Sequence, residues 1–252
     1  MGLPAFLIIG AQKSGTTSLY GWLRHHPNIT MSQTKELHFF DRNFHRGLNW
    51  YQQQFAGTCA GEATPYYLFH PLAAKRAASV VPGAKLIVLL REPVSRAWSH
   101  YHHVRRQGNE PLSFLDAIEL EQLRLRGEVQ KMEEDPRYFS LNHQKFSYLS
   151  RGLYADQLAH WLQFFPRDQL LVLETSALHR DPQKSLDRIA QFLGVPSVSL
   201  PSFPRYNTGG KYPPLDPELA KRLRAMFVPH NERLQQIIGD QTPSFALRAS
   251  TD

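Results

Sequence analysis

The 252 residues, 42% hydrophobic and 20% charged, suffice for one α/β domain with a sizeable core, and their balance excludes a disordered or repetitive chain. A net charge of +7 favours anionic ligands, and the single cysteine, Cys59, excludes an internal disulfide and a cysteine-based metal site. No apolar run reaches membrane-spanning length, and the first apolar run starts too near Met1 to follow a signal segment. The expectation is a cytoplasmic protein, or a soluble catalytic domain of a larger one, with no transmembrane segment.

The first element is an apolar strand, Phe6-Leu7-Ile8-Ile9, followed by Gly10-Ala11-Gln12-Lys13-Ser14-Gly15-Thr16-Thr17 and a helix from Ser18 onward. Gly10 and Gly15 let the backbone turn its N–H groups inward, and the hydroxyls of Thr16, Thr17 and Ser18 fall at a helix N-terminus, whose dipole favours an anion. The spacing predicts a phosphate cradle. A nucleotide triphosphatase loop has Gly, four residues, Gly, Lys and then Ser or Thr; here Thr16 stands at the lysine position and Lys13 lies inside the loop. The cation has moved to the other end of the cradle. The buried strand Lys85-Leu86-Ile87-Val88-Leu89-Leu90 ends in Arg91-Glu92-Pro93, with no aspartate at its tip to hold Mg²⁺. Both features argue against metal-dependent hydrolysis of a nucleoside triphosphate.

His25-His26-Pro27 ends the first helix, and Met31 to Asp41 mixes charge and aromatics without period, as a loop or strand end does. Gly61 to Tyr67 reads as a short strand running into a turn. Pro71 to Val81 is helical and stopped by Pro82-Gly83. Pro93 opens a helix with Val94, Ala97, Trp98, Tyr101 and Val104 inward and Ser95, Ser99, His102 and Arg106 on other faces. An amphipathic segment from Ser113 to about Arg126 leads to a polar stretch, 127–145, expected as a mobile excursion facing substrate. Leu158, Trp161, Leu162 and Phe165 mark a helix, Gln169 to Glu174 a strand, and Leu186 to Leu193 a helix closed by Gly194. After the glycine-rich basic loop Tyr206 to Pro214, the last helix starts near Pro217, with Leu219, Leu223, Met226 and Phe227 inward. Strand–helix–strand spacing implies parallel pairing. The expected fold is a P-loop-like central parallel β-sheet flanked by α-helices in a single domain, 1–252.

Two of these stretches together resemble the cofactor signatures of sulfotransferases that use 3′-phosphoadenosine 5′-phosphosulfate (PAPS). The loop with Lys13 resembles the 5′-phosphosulfate loop, which implies that Gln12, Lys13, Ser14, Gly15, Thr16 and Thr17 bind the donor. Leu90 to Tyr101 resembles the 3′-phosphate segment, which points to Arg91 and Ser99; a strand-end arginine can fork onto a phosphate. The resemblance covers nearly the whole chain and is nearest the heparan sulfate type and its bacterial relatives. Lys35-Glu36-Leu37-His38-Phe39-Phe40-Asp41 resembles the segment that carries the catalytic glutamate, which implies Glu36 as the proton acceptor, with His38 orienting groups or serving as the base instead. Gly210-Lys211-Tyr212 resembles a late loop that closes over the cofactor. Where several glycan-modifying members carry a catalytic lysine, this chain has Ala63.

The resemblance implies metal-independent, in-line transfer of a sulfuryl group to an acceptor hydroxyl or amine on a small molecule, glycan, lipid or carrier, with Lys13, Glu36 and His38 as the catalytic set and no metal. The alternative class is a P-loop kinase or another ATP-binding phosphotransferase, against which the displaced lysine argues. Nucleic acid is not an expected partner, because the basic residues cluster at loop and strand ends rather than forming a stripe interleaved with aromatics.

Overall fold

A computed structural model of the chain describes residues 2–206 and 212–247. Five strands form one parallel sheet: β1 (Phe6–Gly10), β2 (Thr30–Met31), β3 (Ala60–Ala63), β4 (Lys85–Leu90) and β5 (Leu170–Glu174). Their order is β2-β3-β1-β4-β5, and every pairing is parallel. All five residues of β1 are buried, as in a central strand covered by helices on both faces. This is the α/β fold read from the sequence, with the short edge strand β2 as an addition.

The chain divides into two compact units, Met1–Leu90 with His160–Asn207 and Arg91–Ala159 with Thr208–Asp252. The first holds the whole sheet. Its core joins Phe6 and Ile8 of β1, Leu19, Trp22 and Leu23 of the Thr16–Leu23 helix, Ile87 and Leu89 of β4, and Leu186 and Ile189 of the Pro182–Leu193 helix. The second unit has its own core, built from Val94, Ala97, Tyr101 and Val104 of the Pro93–Arg106 helix with Phe114, Tyr148, Leu223 and Phe227.

The buried faces of two helices differ from their apolar stripes, and the 127–145 stretch has helices of its own. Arg96 and His100 are fully buried in the Pro93–Arg106 helix, so its inward face is wider than the apolar stripe; the Arg96 guanidinium donates to the Tyr148 carbonyl, a partner that apolar periodicity cannot reveal. Met226 is exposed on the last helix, Pro217–Ile238, whose buried side runs through Ala220, Leu223, Phe227 and Leu234. The 127–145 stretch carries two short helices, Glu128–Glu134 and Leu141–Lys145. They are tied by buried Glu128, which accepts hydrogen bonds from Tyr138 (2.9 Å), Lys131 (2.9 Å) and Ser140.

Gly10 ends β1 beneath Leu68, whose own N–H bonds to the Ile9 carbonyl at 2.8 Å. A Cβ at position 10 would lie 2.6 Å from the Leu68 Cβ, so two backbone segments would have to part. Gly10→Ala should therefore destabilise the fold by about 1–3 kcal/mol, the range for overpacking a close-packed site, read as a lower denaturant midpoint at unchanged slope.

Candidate active site

In the sheet unit, the loop after β1 turns the chain into the Thr16–Leu23 helix. Gly15 is the N-cap with φ 94°, and the first helical turn has no side-chain cap and no acidic residue. The N–H groups that every helix leaves without intrahelical partners at this end thus meet no side-chain cap, an arrangement that suits an anion. The hydroxyl of Ser14 is buried with no hydrogen-bond partner among the described residues. From the end of β5, the Thr175 hydroxyl lies within reach of the Ser14 carbonyl (2.8 Å) and the Leu90 carbonyl (3.0 Å). The loop is therefore pinned to the tips of two strands. Lys13 sits in it with φ 68°, while Gln12, Gly15 and Thr17 are half-buried and Thr16 is buried.

The same unit brings Glu36 and His38 into contact. His38 Nε2 lies 3.2 Å from Glu36 Oε2, and His38 Nδ1 lies 2.6 Å from Asp41 Oδ2. Lys35 Nζ is 3.3 Å from Glu36 Oε1. One imidazole therefore bridges two carboxylates, one partly exposed and one buried. Burial alone would drive His38 toward the neutral form, but its bonds to Asp41 and Glu36, and their charges, raise its pKa to about 9. Burial would likewise raise Glu36, but the His38 bond and the charges of Lys35 and His38 hold it down to about 2. Near neutrality the pair is an imidazolium beside an ionised carboxylate.

His38 has φ 52°. Lys13 and His38 are the two non-glycine residues with positive φ among those described, and residues held there against their preference are concentrated at functional sites. Asp41 went unassigned at the sequence level although it lies in the Glu36 segment. The spacing of three residues between His38 and Asp41 is a signal that could have found it, since the short helical turn Phe39–Asn43 puts such positions side by side. Arg76, from the Ala73–Val80 helix, was also missed; its guanidinium donates to the carbonyls of Phe40 and Asp41, both at 3.0 Å.

In the second unit, Arg91 stands two residues ahead of the Pro93–Arg106 helix and Ser99 lies about two turns into it, buried. Glu92 caps this helix, accepting from the N–H groups of Val94 (3.0 Å) and Ser95 (2.8 Å). The Tyr154 hydroxyl donates to the Arg91 carbonyl at 2.8 Å, which fixes the backbone there. Tyr212 stacks on His102 of the same helix, with ring centroids 4.3 Å apart and planes at 10°, and Trp98 Nε1 donates to the Pro213 carbonyl at 3.0 Å. His102, which the spacing sets off the inward stripe, is thus half-buried under Tyr212. Gly210 and Lys211 lie outside the described residues.

A sulfotransferase domain is matched over residues 3–201. The chain belongs to the sulfotransferase family. It is 32% identical to a sulfotransferase from Alicyclobacillus acidocaldarius, whose crystal structure it matches with a TM-score of 0.80 over 98% of this chain and 100% of that one. It is 31% identical, over 96% of its length, to human bifunctional heparan sulfate N-deacetylase/N-sulfotransferase 3. It is 30% identical, over 94%, to human heparan sulfate glucosamine 3-O-sulfotransferase 3B1. The chain spans only 31% and 64% of those two relatives. Among the described residues of this sulfotransferase, no helix is long and apolar enough to cross a membrane.

The His38 proton is linked to stability. Its folded-state pKa, about 9, lies above the ordinary value, so the stabilisation is complete below about pH 6.5 and is lost as pH rises through 9. His38→Gln should lower unfolding stability by on the order of 2–3 kcal/mol at pH 6. The proton-linked part of that difference should be gone by about pH 10, as followed by denaturant titrations across pH.

Proposed function

We propose that this sulfotransferase moves the sulfuryl group of PAPS to an acceptor hydroxyl or amine by in-line transfer without a metal, acting as one sulfotransferase domain over residues 1–252. The observation that carries the reading is the contact of Glu36 with His38 at 3.2 Å, in a unit whose phosphate-type loop carries its lysine at position 13. The loop suits an anionic donor: its helix end is uncapped and it encloses a buried hydroxyl without a partner.

The donor, when bound, supplies an activated sulfuryl group with adenosine 3′,5′-bisphosphate as its leaving group. Gln12, Lys13, Ser14, Gly15, Thr16 and Thr17 would hold its 5′ end, Arg91 and Ser99 its 3′-phosphate, and the late loop with Gly210, Lys211 and Tyr212 would close over it. Lys13 supplies positive charge toward the leaving phosphate, where charge develops in the transition state. Arg91 at the tip of β4 offers a fork of donors where a metal-dependent enzyme would need an aspartate.

Glu36 is the proton acceptor. It is ionised throughout the working range, whereas an imidazolium with a pKa of about 9 has no lone pair to offer near neutrality. His38 and Lys35 each engage one Glu36 oxygen, which orients the carboxylate and shares its charge. Asp41 holds the imidazolium from behind. Ala63, buried in β3, brings no cation to an acceptor, so acceptor charge must be met elsewhere; the relatives' names make glycosaminoglycan the first acceptor to try.

Activity is read by transfer of labelled sulfate from PAPS to a panel of desulfated glycosaminoglycan, phenol, amine and fatty alcohol. Lys13→Ala should lower kcat by about 10²–10³-fold, as for removal of one preorganised donor, and Glu36→Gln by about 10²–10⁴-fold. A Glu36→Gln rate near wild type between pH 5 and 8 would contradict the assignment. Arg91→Ala and Ser99→Ala should each weaken adenosine 3′,5′-bisphosphate binding by about tenfold or more, the value of one charge-assisted contact, and unchanged calorimetric affinity would remove both from the donor site.

A further inference from the structure

The turn that carries His38 hangs on a single buried carboxylate. Glu62 of β3 is fully buried and accepts three hydroxyls: Tyr51 at 2.5 Å, Thr64 at 2.8 Å, and Tyr67 at 3.1 and 3.2 Å to its two oxygens. No salt bridge joins it among the described residues. A buried carboxylate without a cation is a costly feature in a core strand. Burial pushes Glu62 up to about 7, against the pull of the three hydroxyls.

Two of those hydroxyls face the other way onto backbone. The N–H of His38 donates to Thr64 Oγ1 at 3.4 Å, and those of Phe39 and Phe40 donate to the Tyr67 oxygen at 2.8 and 3.3 Å. Three consecutive amides, at 38, 39 and 40, therefore end on oxygens whose protons point at Glu62. A hydroxyl has one proton. While Glu62 is ionised, both protons are drawn to it, and the oxygens are left as acceptors for the turn. On the opposite side Arg76 takes the carbonyls of Phe40 and Asp41, so donors and acceptors of the same turn are clamped from two elements.

We propose that Glu62 is a positioning residue for sulfuryl transfer: by fixing the direction of the Thr64 and Tyr67 hydroxyls, it sets the left-handed backbone at His38 and thereby the contact of His38 with Glu36. The proposal rests on the function proposed above for the word transfer, and on geometry alone for the positioning. Glu62→Gln keeps the shape but replaces one acceptor oxygen with a donor NH₂. An NH₂ set toward Thr64 or Tyr67 turns that hydroxyl onto a backbone N–H, and one set toward Tyr51 leaves a single oxygen for both hydroxyls. Tyr67→Phe, by contrast, removes the acceptor of the Phe39 and Phe40 amides outright.

The test compares the full chain with its Glu62→Gln and Tyr67→Phe variants, with affinity and rate taken at pH 8, above the Glu62 value of about 7. Three readouts are used: the NMR titration of the His38 ring, calorimetric affinity for adenosine 3′,5′-bisphosphate, and kcat with labelled PAPS. Positioning predicts that Tyr67→Phe moves the His38 midpoint down from about 9 toward its ordinary value, and that Glu62→Gln moves it the same way by less. Affinity for the bisphosphate should stay within about twofold while kcat falls by about 10–10²-fold, the scale of a sub-ångström to 1 Å misplacement. An unchanged His38 midpoint in folded Tyr67→Phe would overturn the proposal, as would a loss of affinity that matches the loss of kcat. Should Glu62→Gln not fold, Tyr67→Phe decides alone, since it removes the bridging hydroxyl and leaves the carboxylate. If the wild type transfers no sulfate to any acceptor, the proposed function fails, while the His38 titration still decides the positioning.

Discussion

An imidazole held between two carboxylates is the constraint on which the site depends. Asp41 behind and Glu36 in front keep His38 protonated, and that proton orients the ionised Glu36 carboxylate proposed as the acceptor. The arrangement requires His38 to adopt a left-handed backbone that a non-glycine residue seldom takes. The surroundings over-determine it: hydroxyls backed by Glu62 take the amides at 38–40, and Arg76 takes the carbonyls that follow.

The parallel sheet explains why these pieces share one unit. In an open α/β sheet the loops beyond the carboxyl ends of the strands are where ligands bind. The loop after β1 carries Lys13, the turn after β3 carries Thr64 and Tyr67, and the tip of β5 carries Thr175, which clamps the Ser14 carbonyl. Gly10 keeps its place because Leu68, just beyond β3, passes directly over it. A cation at position 13 rather than 16 distinguishes this cradle from that of a triphosphatase, and it fits the charge of the donor proposed for it.

Much of this was legible in the sequence because strands and phosphate loops leave local signals. The run Phe6 to Ile9, the Gly10–Gly15 frame and the apolar strand at 85–90 each follow from residue type and spacing, as does the pairing of Arg91 with a helix opened by Pro93. The role of Glu62 was not legible. A single acid in a four-residue strand, Ala60–Ala63, has no periodicity, and its partners Tyr51 and Tyr67 lie 11 and 5 residues away. The burial of Arg96 and His100 was hidden for a similar reason, because apolar patterning cannot see a polar group that donates to a distant carbonyl or packs on an aromatic ring such as Tyr148. The division into two units was equally silent, since no linker composition marks Leu90–Arg91 or the return near 160.

The central claim is that the displaced-lysine loop and the strand-end arginine serve a 3′-phosphorylated adenosine nucleotide. The most direct measurement is calorimetric titration of the purified chain with adenosine 3′,5′-bisphosphate, run beside ATP with and without Mg²⁺. Micromolar binding of the bisphosphate, about −8 kcal/mol, with little heat from ATP in either condition, is the expected result. Binding of Mg·ATP with none of the bisphosphate would contradict the assignment of Lys13 and Arg91.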